Sequence, residues 1–273
     1  IGFGRLDHNR GGVKSRPSLW KDCMQTYEGK VVIATHFYKH QSCLEYTHSL
    51  AATLVILERL GIKYDYWPIS GHFHMENCVN DTLTRFMNSD ATDIFMIDSD
   101  EAWNPQHFVR LLLHEEDIVC GVYLQCSVAQ RKYPVVLKTA DDGSHLGKML
   151  PDGNCLLEAK RVPGGFLKIS KRALQTWADK NPDEWFWLEG RKTYKFFVNE
   201  FRDHIFYGMD FCFSDKMRDI GFQLWVDPIC DVRHWGVMEF YGTLDAYLRG
   251  EKKNQEAFAE IAQMAKEIEE RNG

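Results

Sequence analysis

The sequence predicts an α/β protein whose central sheet is mixed but largely parallel, and three observations carry that prediction. Short runs rich in Val, Ile and aromatic residues alternate with segments of helical spacing across residues 31–124, the pattern of strands joined by crossover helices. The third run, Ile94-Phe95-Met96-Ile97, ends directly on Asp98-Ser99-Asp100. Beyond residue 125 the texture changes to shorter strands, turns and dense aromatics, so the second half is expected to elaborate the same sheet.

The elements follow in order. Residues 1–30 are polar and rich in Gly and Arg (GRLDHNRGGVKSRPS), and read as a loop or arm. VVIATHFY (31–38) reads as a buried strand. Residues 42–60 carry Leu44, Leu50, Leu54 and Leu57 at mixed three- and four-residue steps, with Gly61 as a stop signal. IKYDYWPI (62–69) is a second strand, 77–88 a helix and DIFMID (93–98) a third strand. Pro105 opens a helix through His114, and DIVCGVYL (117–124) is the fourth strand. YPVVLKT, GKMLPDG and LLEAKRVPGGFLKIS suggest short strands and turns before a helix over 171–179.

Nine aromatic residues then fall within 185–207, namely Trp185, Phe186, Trp187, Tyr194, Phe196, Phe197, Phe201, Phe206 and Tyr207. A helix near 209–219 leads to FQLWVDP and DVRHWG. Residues 251–272 form an amphipathic pattern with Phe258, Ile261, Ala265 and Ile268 on one stripe. The organisation expected is an arm (1–30), one catalytic-type domain (31–248) with halves at about 31–125 and 126–248, and a C-terminal helix (249–273).

Composition narrows the function. The chain has 273 residues, 44% hydrophobic and 26% charged, which suits a globular domain and not a disordered one. Its 33 basic and 39 acidic residues give a formal net charge of −6, which argues against broad non-specific binding to nucleic acid. No apolar stretch approaches the roughly 20 residues of a membrane span, and no signal-peptide pattern opens the chain. The eight cysteines are irregularly spaced and several lie in apolar runs. That is a pattern of free thiols in a reducing compartment, so a cytoplasmic location is expected.

Several motifs are excluded. There is no G-x-x-x-x-G-K-[ST], and GFGRLD lacks the preceding strand a dinucleotide fingerprint needs. His74-Met75-Glu76 matches the H-x-E of zinc deaminases, but the P-C-x-x-C partner is missing. His72, His74 and Cys78 form either a metal corner or a polar loop. There is no G-x-S-x-G elbow.

Asp98-Ser99-Asp100 survives because of its place. Two carboxylates at the C-terminal edge of a buried strand form an open oxygen-ligand site. Hard divalent cations favour such a site while leaving positions for substrate phosphates. The competing reading is a solvated turn capping the Pro105 helix.

The stretch DTLTRFMNSDATDIFMIDSDEAWNPQHFVRLLLHEEDIVCGVY resembles the core of a GT-A glycosyltransferase, the nucleotide-sugar-dependent kind and similar to family 2. Three further segments match in order: VPGGFLKISKRAL, YGMDFCFSDKMRDIGFQLWVDP and DVRHWG. Together they span about residues 31–243.

The resemblance implies a GT-A type Rossmann-like sheet and a Mn²⁺ or Mg²⁺ ion. The substrates it implies are a nucleotide-sugar donor, commonly UDP-linked, and a hydroxyl-bearing acceptor such as a glycan, lipid-linked sugar, protein or modified DNA base. Asp100 would then ligate the metal, with His234 as a further ligand. Asp98 would hold metal-bound water or the donor ribose, beside Ser99. Thr35, His36 and Phe37 would face the nucleotide base, and Asn80, in Val79-Asn80 where the family often has Arg-Asn, would reach the donor. Asp210 matches the second acid of the family's Glu-Asp pair, with Met209 in the first place, and would act as base in an inverting transfer. Gly164, Gly165, Trp185, Trp187 and Tyr207 would lie on the acceptor side. A Mg²⁺-dependent nucleotidyltransferase and a non-catalytic nucleotide- or carbohydrate-binding module are the alternatives.

Overall fold

The computed structural model describes residues 27–37, 40–70, 74–125, 132–236 and 239–249. The arm over 1–26, His72 and the stripe at 251–272 lie outside the described residues.

The first half alternates as its apolar pattern requires. Strand β1 (Lys30–His36) is followed by helix α1 (Leu44–Leu60), β2 (Lys63–Ile69), α2 (Met75–Met87), β3 (Asp93–Asp98), β4 (Glu101–Trp103), α3 (Pro105–Leu113) and β5 (Ile118–Cys120). The second half adds β6 (Val136–Leu137), β7 (Gly147–Met149), β8 (Cys155–Arg161), β9 (Phe166–Ser170) and α4 (Lys171–Lys180). Two hairpins come next, β10 (Trp185–Leu188) with β11 (Arg191–Tyr194) and β12 (Glu200–Arg202) with β13 (Ile205–Tyr207). The described chain closes with α5 (Met209–Asp219), β14 (Leu224–Val226), β15 (Val232–Trp235), β16 (Glu239–Phe240) and α6 (Leu244–Leu248).

Local chemistry sets the helix ends. Asn104 accepts from the Gln106 amide at the start of α3, with Pro105 in the first turn where a missing N–H costs nothing. Ser170 caps α4 by accepting from the Ala173 amide. Gly61 ends α1 in the left-handed region at φ 69°, which a side chain would strain.

The main sheet runs β2-β1-β3-β9-β5-β14-β8-β6, with β7 on β8. Pairing is parallel for β1 with β2 and β3, and for β5 with β14. Only β8 and β9 run against the rest. The result is a mixed α/β sheet of largely common direction flanked by helices. The fourth predicted strand is shorter than its apolar run: after Cys120 the chain leaves the ladder, and the Gly121 amide bonds to the Phe166 carbonyl instead.

Strand alternation divides the core between the two faces. Val32, Ala34, Ile94 and Met96 join α2, α4 and α5 residues such as Leu83, Trp177 and Phe213. Val31, Ile33, Phe95 and Ile97 join α1 and α3 residues such as Leu57 and Phe108. A second, small antiparallel sheet, β16-β15-β4, stands beside the end of β3. Among the described residues no helix is long and apolar enough to cross a membrane.

Candidate active site

The polar residues of interest gather where β3 ends and β9 begins. An antiparallel neighbour starts where a parallel one stops, so the Gly164-Gly165 turn ahead of β9 lies against Asp98. The Asp98 amide donates to the Gly165 carbonyl at 2.9 Å. One residue earlier, the Gly164 amide donates to Asp210 Oδ2 at 3.1 Å. One two-residue turn therefore ties the D-S-D strand to the first turn of α5.

Both glycines are there because the protein's own oxygens crowd them. A Cβ on Gly165 would lie 2.3 Å from Glu101 Oε1 and 2.7 Å from both Asp98 Oδ2 and the Tyr123 hydroxyl. A Cβ on Gly164 would lie 3.0 Å from Asp210 Oδ1. The sequence placed both glycines on the acceptor side; the space they leave is filled by carboxylates.

Asp100 and His234 form a second feature. β4 pairs with β15 in register, and the Trp235 amide donates to the Asp100 carbonyl at 2.8 Å. This brings His234 Nε2 to 3.4 Å from Asp100 Oδ2, on a carboxylate that is half exposed. His234 Nδ1 lies 2.9 Å from the Leu124 carbonyl. A carbonyl only accepts, so Nδ1 carries a proton and Nε2 is the ring atom turned toward Asp100.

The electrostatics follow from crowding of like charge. Burial, reinforced by Asp100 and Asp210, pushes the Asp98 carboxyl up to about 7. Burial, with Asp98, Asp100 and Asp210 added, holds Glu101 well above the carboxylate range. Burial raises Asp210 against the opposing pull of the Gly164 amide. For His234, burial works downward, but the Asp100 carboxylate and the Leu124 carbonyl outweigh it and the net shift is upward.

The donor set was tested against a divalent cation. Asp100 Oδ2 and His234 Nε2 lie 3.4 Å apart, a few tenths of an ångström wider than the roughly 2.8–3.1 Å between adjacent ligands of an octahedral ion with metal–ligand distances of about 2.0–2.2 Å, so a small side-chain rotation brings them to neighbouring positions. An imidazole nitrogen facing a carboxylate needs a proton or a cation between them. The pair fits. The wider triad does not: among the described residues no group of three or more His, Cys, Asp and Glu side chains is arranged to hold a metal ion. Asp98 Oδ2 packs against Gly165.

Other expectations also change. Thr35 and His36 are adjacent on β1, so their side chains enter opposite faces of the sheet. Thr35 is fully buried with its hydroxyl 2.5 Å from that of Tyr46, and His36 Nε2 lies 3.0 Å from the Thr82 hydroxyl. Both side chains are thus engaged inside the fold; Phe37, half-buried and edge-on to Tyr46, stays at the rim. Ser99 is buried, and its carbonyl accepts from the Cys43 amide.

Asn80 is used at both ends of its amide, donating to the Phe197 carbonyl at 2.7 Å and accepting from the Phe197 amide at 2.8 Å. It pins the aromatic segment to α2 and is itself buried there. Trp185 and Trp187 pack at right angles on β10, and that hairpin is tied to α2 through Arg191–Asp81 and Tyr194–Thr84. Tyr207 lies against the guanidiniums of Arg161 and Arg202, at 4.8 and 5.1 Å. Two site residues were missed, Glu101 and Tyr123. The usable signal was a lone Glu in the otherwise apolar Glu101-Ala102-Trp103, all three of which are buried.

Fold and rim together define an α/β domain whose polar groups converge at the carboxyl ends of its strands, the position where open sheets bind ligands. The chain is similar to the catalytic domain of Drosophila beta1,4galactosyltransferase 7 in complex with xylobiose, with 13% identity, TM-score 0.41, and coverage of 73% of this chain and 65% of that one. It is also similar to GalNAc-T7 with UDP, GalNAc and Mn²⁺, at 9% identity and TM-score 0.43, covering 76% and 43%. A third is the inositol-1-phosphate CTP transferase from T. maritima, at 8% and 0.35, covering 72% and 88%. The chain thus spans less than two thirds of the length of the first two. No protein-family model and no curated protein sequence matches it.

Proposed function

We propose that this domain is a metal-assisted glycosyltransferase. In this reading it moves a sugar from a nucleotide-sugar, UDP-linked in the first instance, to an acceptor hydroxyl with inversion. The observation that carries the reading is the shared turn: Gly164 holds Asp210 while Gly165 holds the strand that ends in the D-S-D. A base and a cation corner are thereby fixed relative to one another by backbone hydrogen bonds.

In this reading Asp100 and His234 hold Mn²⁺ or Mg²⁺, which supplies Lewis-acid stabilisation of the departing diphosphate. Asp210 accepts the proton of the acceptor hydroxyl as that oxygen bonds to the anomeric carbon. The bond from that carbon to the diphosphate oxygen breaks with its electron pair leaving on the nucleotide. The raised Asp210 carboxyl suits it to this task, since a base works best near the operating pH. The Gly164 amide keeps one carboxylate oxygen occupied, which aims the other.

The test is nucleotide release from a panel of UDP-, GDP- and TDP-sugars with Mn²⁺, alongside thermal shift with the free diphosphates. One nucleotide is expected to stabilise the protein only with Mn²⁺. Asp100→Asn is expected to fold, lose that shift and lose transfer by roughly 10²–10³. Wild-type turnover by Asp100→Asn in saturating Mn²⁺ would overturn the metal corner. Pyrophosphate release from a nucleoside triphosphate and a sugar phosphate would favour nucleotidyl transfer instead.

A further inference from the structure

The β12–β13 hairpin ends three residues before Asp210, and its two faces differ. Phe201 and Phe206 are register partners across the strands, so both rings stand on one face, with centroids 5.4 Å apart. They are 78% and 58% exposed, an apolar pair turned to solvent beside a polar crevice. The turn between the strands, Asp203-His204, has φ of 49° and 65°, the left-handed pair of a tight two-residue turn that matches strand twist.

The opposite face is anchored. Arg202 donates through Nη1 to Asp215 Oδ2 at 2.7 Å and through Nε to Glu200 Oε2 at 2.8 Å. Arg161, at the end of β8, grips the same Asp215 through Nε and Nη2 at 3.0 and 2.9 Å. Asp215 belongs to α5, and Arg161 leads into the Gly164-Gly165 turn, so the hairpin is fastened to both elements that place Asp210. The charges around it balance: Arg161, Arg202 and Arg218 stand against Glu200, Asp203 and Asp215. Phosphate chains and anionic lipid surfaces are held by a surplus of Lys and Arg, which this surface lacks. Bare rings without charge suit a neutral ligand with C–H-lined faces, such as a sugar ring, whose slightly positive hydrogens meet the negative face of an aromatic ring.

We propose that this hairpin is the acceptor platform and that the acceptor is a neutral oligosaccharide, one sugar ring of which stacks on Phe201 and Phe206. The proposal rests on the transferase reading above for what happens at Asp210, and adds the class of the acceptor and the residues that hold it. Phe206 and Asp210 are four residues apart, so the chain between them spans at most about 14 Å. A short oligosaccharide covers that span, with one unit on the rings and the hydroxyl of another at the base.

Saturation-transfer NMR with cello-, xylo-, malto- and N-acetylchitotetraose, without donor or metal, tests it. At least one tetrasaccharide is expected to bind the wild-type chain, and Phe201→Ala/Phe206→Ala to bind it at least tenfold more weakly. Phe201→Leu/Phe206→Leu keeps an apolar cross-strand pair and with it the hairpin; lacking ring faces, it should lose binding as well. An unchanged melting transition in all three chains reports an intact fold, as expected for exposed positions. Binding of no tetrasaccharide, or equal binding by wild type and either variant, would overturn the platform and leave the transferase reading standing. Binding of an oligothymidylate, or of phosphatidylcholine–phosphatidylserine vesicles, that the substitutions abolish in place of glycan binding would overturn it in favour of nucleic acid or lipid. Glycan binding through the two rings, with no transfer to that glycan from any nucleotide-sugar, would sustain the glycan surface and sink the transferase reading.

Discussion

Glu101 and His234 are register partners across the antiparallel β4–β15 ribbon. That single pairing sets the site, because it fixes the residue after the D-S-D opposite the histidine and so delivers Nε2 to Asp100. The ribbon also means that the Asp100–His234 pair and the buried Glu101 cannot shift independently of each other.

Asp210 separates binding from chemistry. Asp210→Asn should bind the preferred nucleotide with Mn²⁺ as the wild type does, yet transfer at least a hundredfold more slowly, in line with the ~10²–10⁴ that a positioned base contributes. A base must be deprotonated to act, and burial raises this carboxyl. The acidic limb of the kcat/KM profile is therefore expected above the ordinary carboxylate range, and absent from the residual activity of Asp210→Asn.

Asp98 links stability to pH in metal-free protein. Its carboxyl moves from an ordinary 3.8 to about 7 on folding, so between those values the folded state binds more protons than the unfolded one. Stability then falls as pH rises through that window, the reverse of a salt-bridged aspartate. Thermal melts in chelator from pH 4 to 7 should show the fall, and Asp98→Asn should lessen it, the raised Glu101 and Asp210 carboxyls supplying the remainder.

Asp227 should matter to the fold and not to the site. Its fully buried carboxylate takes Arg110 Nε at 2.5 Å and lies 3.0 Å from His114 Nε2, tying α3 to the end of β14. Asp227→Ala removes one of the two carboxylate partners of Arg110, leaving it Asp152 alone, and takes away the His114 contact as well, at a cost of roughly 3 kcal/mol. A fall in Tm of about 10 °C is expected, read by calorimetry.

Asn80 tests the reassigned role. If it clamps Phe197, Asn80→Ala should speed hydrogen exchange at the Phe197 amide and cost about 1–3 kcal/mol, the penalty for unsatisfied buried groups. Its KM for the donor should not move. A donor KM raised tenfold with unchanged exchange would restore the sequence-based role.

Periodicity made most of the framework legible. The helices at 44–60, 105–113, 171–180 and 209–219 lie within a few residues of their expected bounds, because caps such as Asn104 and stops such as Gly61 are local signals. The Gly164-Gly165 turn and the β4–β15 pairing bring Asp98, Asp100, Asp210 and His234 near the end of β3, contacts between segments that no local pattern could orient. What could not be read was orientation. Whether Thr35 and His36 face a ligand depends on which elements cover each face of β1, a matter settled by Tyr46 and Thr82 far along the chain. Glu101 was missed for a related reason: its lone polar place in Glu101-Ala102-Trp103 is a slight local signal, and the strand that buries it, β15, arrives some 130 residues later.

The reversed strand β9 has a consequence for how this molecule comes into being. It is wedged between β3 and β5, so neighbours in the middle of the sheet are separated by a long stretch of chain. Closing so large a loop delays the pairing, as high contact order does generally. During synthesis, a nascent chain that has not yet delivered residue 170 can form β1, β2 and β3 but carries no glycine turn against Asp98. The crevice is therefore a late product, assembled only when the second half threads back into the first, and a partly made chain holds its acidic residues without the architecture that gives them a use.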